Sequence, residues 1–344
     1  MKTPTTIYFV ARTHGLKRHL LKHEDLQRIS RAKDLAEIHS LLLQSDYSER
    51  LSKISPLKLD AYQLERIVYE VLSERSYYLL KIARGSIRRL IEGFCRRTEV
   101  ENLKRVVRAI HGNESMNRTQ FLPVPREYQT VNFLALLECR RVGEIIKLLK
   151  ETPFRDLGDK VGLYERYNNP LILEAYLDRI YYSVLEENLK RVAGGSRIQH
   201  LVGTEIDIKN LSSITSLQYS RASPDLLKEI IIEYYYRLPR NLVSKLVELP
   251  YEEILKLPLG PPYRESITKA IDLANNNMLP QAENILWQYF YSCVEKESIK
   301  NPGSLVYVIS YLFLCRKEAR NLATIAAGKQ FKMGPERIQS LLFV

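Results

Sequence analysis

The amino-acid sequence predicts an all-α protein made of three similar helical bundles. Three observations carry that expectation. Helix breakers are scarce in 344 residues: 14 glycines and 15 prolines interrupt long runs rich in Leu, Ile, Glu, Lys and Arg. Apolar residues recur at helical spacing, as in Leu64, Ile67, Val68, Val71 and Leu72, or Leu173, Tyr176, Leu177, Ile180 and Tyr181. One set of signatures occurs three times, at intervals of roughly 110 residues, which predicts a pseudo-three-fold body. No alternating Val/Thr segment or Asn-Gly turn argues for a sheet.

The elements follow in the same order in each copy. A Glu-Ile pair comes first: Glu37-Ile38, Glu144-Ile145 and Glu253-Ile254. It sits in an opening helix expected over 34–44, 138–150 and 251–257. Ten residues after each glutamate stands an aromatic ring (Tyr47, Phe154, Tyr263), and two further on an acid (Glu49, Asp156, Glu265). A long amphipathic helix then carries a second glutamate: Glu65, Glu174 and Glu283. A break follows at Gly85-Ser86, Gly194-Gly195-Ser196 and 301–304. A last helix closes each copy with an acid, an Asn three residues on and a Leu: Glu99/Asn102/Leu103, Asp207/Asn210/Leu211 and Glu318/Asn321/Leu322. Copies two and three add a helix start, Ser223-Pro224-Asp225 and Gly334-Pro335-Glu336, with Pro in the first turn and an acid at the positive helix end. Copy one has a polar loop there, 111–120. The copies are placed at 1–120, 121–231 and 232–344.

The acid-Asn spacing has a geometric consequence. At about 100° per residue, the acid, the Asn, the following Leu and the apolar residue four beyond the Asn share one helix face. A carboxylate and an amide thus lie on the apolar stripe, and buried polar groups need partners. The carboxylate is expected to accept hydrogen bonds from a neighbouring helix end, and the Asn to bridge two helices. A threefold active site would need three pockets or one on the axis, so the signature reads as structural.

Net charge is +12, concentrated in residues 1–120, which hold 23 basic and 14 acidic residues. The stretch from Arg84 to Arg108 is the densest part. Nucleic acid, anionic lipid head groups or an acidic protein would each suit it, as would a solvated helix face. The four cysteines are scattered without a CxxC pair, which fits reduced thiols. The longest apolar run, 305–315, is too short for a membrane span and reads as a core helix. No secretory signal is visible at the start.

Catalytic and cofactor motifs are missing. Gly328-Lys329 precedes Gln330 rather than Ser or Thr, so no P-loop results. Gly194-Gly195-Ser196 is not a nucleophile elbow. His19 and His23 are four apart, but the glutamate of HExxH is absent and the pair is expected to be exposed. The pairs Tyr77-Tyr78 and Tyr181-Tyr182 and the run 234–236 read as packing before base stacking. No metal, cofactor or small-molecule substrate is expected.

Taken in their threefold order, these signatures resemble one family, the C subunit of archaeal A-type ATP synthases, related to the d subunit of vacuolar ATPases. The stretch 205–211 (Glu-Ile-Asp-Ile-Lys-Asn-Leu) is the closest single match. Gly328-Lys329 followed by Gly334-Pro335-Glu336, and the opening 8–12, are further points of similarity. Copy one departs from the pattern at 98–102. The resemblance implies an all-helical funnel of three bundles around a pseudo-three-fold axis. It implies a non-catalytic rotor adapter, peripheral to the cytoplasmic face of the membrane, coupling the central-stalk subunits to the proteolipid ring. The alternative reading is a basic, all-helical RNA-binding protein, although RNA-reading repeats are far shorter. A third is an enzyme using the repeated carboxylates.

Overall fold

The structure, a computed structural model, describes residues 4–343, and every regular element among them is a helix or a 3-10 turn. The chain forms two compact units. One joins residues 1–84 with 269–344, and the other holds residues 85–268. Both cuts fall inside sequence copies rather than between them.

The first unit is built on two long helices, Ala61–Ile82 and Leu305–Gln330, packed along each other. Asp60 starts the former through a capping box. Its carboxylate accepts the Gln63 N–H at 2.7 Å, and the Gln63 side chain accepts the Asp60 N–H. The apolar stripe Leu64, Ile67, Val68 and Val71 meets Leu322, Ile325 and Ala326, in one cluster with Leu26, Ile38, Leu42 and Tyr47. Every residue of the run 305–315 is buried, because Leu305–Gln330 is also covered by Leu279–Lys300 and Pro4–Lys17. Phe290 meets Phe313 edge to face at 5.0 Å between ring centroids. Gly328 is a packing glycine, since a Cβ there would stand 2.7 Å from Ile338 Cγ1.

In the second unit Leu171–Lys190 is central. Gly85–Cys95, Arg97–His111 and Gly195–Tyr219 all pack on it. Gly93 permits close approach: its missing Cβ would lie 2.9 Å from Leu185 Cδ2. The connection into Gly195–Tyr219 depends on two glycines. Gly194 takes a left-handed φ of 80°, and a Cβ on Gly195 would overlap the Leu189 carbonyl oxygen.

All three opening helices differ from expectation. The opening helices of copies one and two are shorter, Leu35–Leu42 and Val142–Leu149. The third, expected over 251–257, is a 3-10 turn, Tyr251–Lys256. Pro258 lies two residues past its end, and the residue before a proline is pushed to extended backbone, which closes the segment there. The last helix of copy one is interrupted at Arg96, whereas its counterparts run unbroken for 25 and 26 residues. The proline-led helices appear as Pro224–Ile230 and Pro335–Ser340. Copy one has only a 3-10 turn, Arg118–Gln120.

Gly195→Ala must displace backbone, so it is expected to lower unfolding stability by about 2 kcal/mol or more. Gly143→Ala, inside Val142–Leu149 with no atom near its Cβ position, is expected to be neutral or to gain up to about 1 kcal/mol. Urea unfolding of both variants checks the pair, and equal midpoints would contradict the steric argument.

Candidate functional site

The three repeated asparagines do one thing. The Asn102 amide donates to the Leu122 carbonyl at 2.9 Å and accepts the Leu122 N–H at 2.7 Å. Asn210 makes the same pair with Ile232, both at 2.9 Å. Asn321 does so with Phe343, both at 2.8 Å. Each side chain thus satisfies both backbone groups of one residue on the segment that turns back along the helix. All three amides are buried, where an unpaired backbone group would be costly. The expected bridge between two helices is therefore a clasp between a helix and the chain leaving it. The turn between is repeated too. Asn113, Arg221 and Lys332, each eleven residues past its Asn, take left-handed φ values of 53°, 57° and 55°. The next residue's N–H returns to the helix at Ala109, Leu217 or Gly328.

The three carboxylates, also buried, reach into the next copy. Glu99 accepts the N–H of Thr130 at 2.6 Å and its hydroxyl at 2.8 Å. Asp207 accepts the Arg237 N–H at 2.9 Å and the Tyr263 hydroxyl at 2.8 Å. Glu318 accepts the Leu21 N–H at 2.5 Å, the Tyr47 hydroxyl at 2.6 Å and Arg75 Nη1 at 2.6 Å. In two of the three copies the repeated aromatic, Tyr47 or Tyr263, is therefore the partner of the acid in the preceding copy. Copy three reaches copy one in this way. Phe154 has no hydroxyl, and the Thr130 hydroxyl supplies the second bond instead. The electrostatics differ accordingly. Burial pushes Asp207 up to about 6, against the bonds that favour its charged form. Burial also raises Glu99. Glu318 faces a cation, and Arg75 is held charged, burial notwithstanding, by Glu318 and Tyr47.

A second polar cluster occurs once. Asp178 is buried and meets Lys104 Nζ at 2.6 Å and Lys209 Nζ at 2.5 Å. Arg97 Nε meets Glu101 at 2.9 Å and lies over the rings of Tyr181 and Tyr182. Arg108 grips Glu174, its Nε at 2.7 Å. Burial opposes Asp178's charge, but the surrounding cations keep its carboxyl below the usual range. Burial and two neighbouring cations push Lys209 down to about 8.

The model of the ATP synthase (C/AC39) subunit family matches residues 9–341, nearly the whole chain. The chain belongs to that family. Membership makes it a non-catalytic subunit of a rotary ATPase. Similar proteins include the C subunit of the A-type ATP synthase of Archaeoglobus fulgidus, 22% identical over 98% of this chain and 96% of the relative. That of Methanosarcina mazei is 25% identical over 98% and 92%, and that of Methanocaldococcus jannaschii 24% over 97% and 85%. Nothing among them supports RNA binding.

Within this C/AC39 family member the other repeated glutamates serve local roles. Glu37 accepts the Lys33 N–H and Glu144 those of Arg140 and Arg141, so both cap the helices they open. Glu253 pairs with Lys256 at 3.2 Å. Glu174 is buried against Arg108, whereas Glu65 and Glu283 are half-buried. His19 turns to Asp46 and His23 to Gln27, so the two do not share a ligand. Of the basic stretch 84–108, Lys104 is buried and Arg97 half-buried within the Asp178 cluster. That cluster is not foreseen from the sequence, because Asp178 lies 74 residues beyond Lys104. Glu101 with Lys104, and Glu174 with Asp178, at helical spacing were the available signal.

Asn210→Leu strands both backbone groups of Ile232 and is expected to cost about 3 kcal/mol in denaturant unfolding. A loss under about 1 kcal/mol would show that the clasp contributes little. Asp207 titrates in the opposite sense to most carboxylates. Because folding raises its pKa, the stability it adds is full below 3.8 and is lost as pH climbs through about 6. Relative to the wild type, Asp207→Asn should gain about 2 kcal/mol between pH 4 and pH 7. A pH-independent difference in their unfolding free energies would contradict this.

Proposed function

We propose that this protein is the adapter of the central rotor, receiving the lower end of the stalk and seating on the proteolipid ring at the cytoplasmic face of the membrane. The observation that carries the reading is the full-length match to proteins named as the C subunit of A-type ATP synthases, together with the cyclic order of the carboxylate clasps. Copy one is fastened to copy two, two to three, and three to one. A chain fastened in that order suits a funnel of three bundles around an axis, with the stalk held inside. No helix among the described residues is long and apolar enough to cross a membrane, which fits attachment to its surface.

The RNA-binding alternative loses its support at the side-chain level. Of the tyrosines that could stack bases, Tyr77, Tyr181 and Tyr182 are buried and Tyr234 and Tyr236 bond Gln199 and His200, which leaves Tyr235 and Tyr236 the exposed ones of the run 234–236. Lys104, one of the charges, is paired inside the protein.

The tagged protein recovered from detergent-solubilised membranes is expected to bring down stalk and proteolipid subunits, with the association weakened by high salt. Recovery of RNA or ribosomal proteins in their place would overturn the adapter reading.

A further inference from the structure

Large apolar side chains scattered singly over a surface are ordinary; a cluster of them is not. Among the described residues the four most exposed are Leu57 at 92%, Ile299 at 77%, Phe331 at 76% and Tyr62 at 72%. Three of the four converge at one end of the first unit. The Ala61 N–H donates to Gln330 Oε1 at 2.8 Å, which joins the start of the helix bearing Tyr62 to the end of the helix that Phe331 follows, and Leu57 lies in the 3-10 turn that leads into the former. None of the three is left out for want of a core, since Leu59, Leu64, Ile325 and Ala326 fill the cluster behind them.

Three lysines frame the patch. Lys58 follows Leu57, and Lys329 and Lys332 flank Phe331. None has an ion-pair partner among the described residues, whereas Lys53 nearby pairs with Glu49. Asp60, the nearest acid in sequence, spends its carboxylate on the cap of Ala61–Ile82. Leu305–Gln330 ends there in a hydrogen-bonded turn. The Met333 N–H returns to Gly328 O at 2.8 Å and that of Lys332 to Lys329 O at 3.1 Å, with Lys332 left-handed at φ 55°.

We propose that this end of the first unit, Leu57, Tyr62 and Phe331 with Lys58, Lys329 and Lys332, rests on an anionic phospholipid surface. The composition selects that partner. Protein interfaces favour arginine and are depleted in lysine, and this patch is framed by lysines. Lysine stems lie along apolar surface and carry their charge outward, while tyrosine and phenylalanine suit the head-group boundary. The inference deepens the adapter reading by naming the face that meets lipid.

The purified full-length chain is tested by co-sedimentation with phosphatidylcholine vesicles, with and without phosphatidylglycerol. Binding is expected only to the anionic vesicles. The triple variant Lys58→Gln, Lys329→Gln, Lys332→Gln should bind them about a hundredfold more weakly, at about 1 kcal/mol per lysine near an anionic surface. Leu57→Ser with Phe331→Ser should also weaken binding while circular dichroism stays unchanged. Failure of the wild type to bind, or binding untouched by both variants, overturns the proposal. So does a variant that keeps vesicle binding but no longer recovers its partner proteins from membranes, which would make the patch a protein contact. The vesicle assay involves no other protein, so it fails or succeeds separately from the co-purification.

Discussion

A carboxylate and an amide placed on the buried face of one helix must find partners, and the rest of the structure is arranged around that demand. The amide takes both backbone groups of a residue 20 to 22 positions further along, so the chain has to turn at the helix end and run back. The left-handed residue eleven positions past each Asn makes that turn, and the clasp then sets where the returning segment lies. The carboxylate, three residues earlier, captures a backbone N–H and a hydroxyl from the copy that follows. One helical turn thereby fixes both its own connection and the start of its neighbour.

The three copies solve the same problem with different electrostatics. Glu318 meets a buried guanidinium, Glu99 a threonine hydroxyl and Asp207 a tyrosine. Replacing the phenol by Phe154 in one copy is tolerated because Thr130 offers both its N–H and its hydroxyl. The Asp178 cluster breaks the symmetry outright. Counted from the repeated Asn, Lys104 corresponds to Ser212 and Ala323; counted from the second glutamate, Asp178 corresponds to Tyr69 and Trp287. A buried pair replaces apolar or small side chains in one junction only. Such a pair is weak evidence for stability, but removing one partner leaves an uncompensated charge, so both must be kept together.

Much of this was legible in the sequence, and the illegible part has a common cause. Helix content, the threefold order and the shared face of acid and Asn follow from spacing within one helix. Glu37 and Glu144 also sit where helix caps are expected. Partners could not be read, because they lie tens to hundreds of residues away. Tyr47 is 271 residues from Glu318, and nothing local to either marks the other. The same limit applied to charge. The basic stretch 84–108 looks external until Asp178 and Glu174, far along the chain, are seen to neutralise part of it. The third opening element is a six-residue 3-10 turn, closed by Pro258 two residues past its end.

The polar character of the clasps bears on what a component of a rotary machine has to withstand. Apolar contact is strong but non-directional, and two greasy helices can slide with little change in buried area. A hydrogen bond weakens steeply when its geometry is disturbed, and in a buried setting no water replaces it. Each clasp holds one helix turn to one backbone residue by two such bonds, and each carboxylate adds two or three more. Shear between the segments they join must break several of these together before any apolar area is exposed. Torque applied to the protein is then carried by bonds that resist sliding, which a purely apolar seam of equal area would not supply.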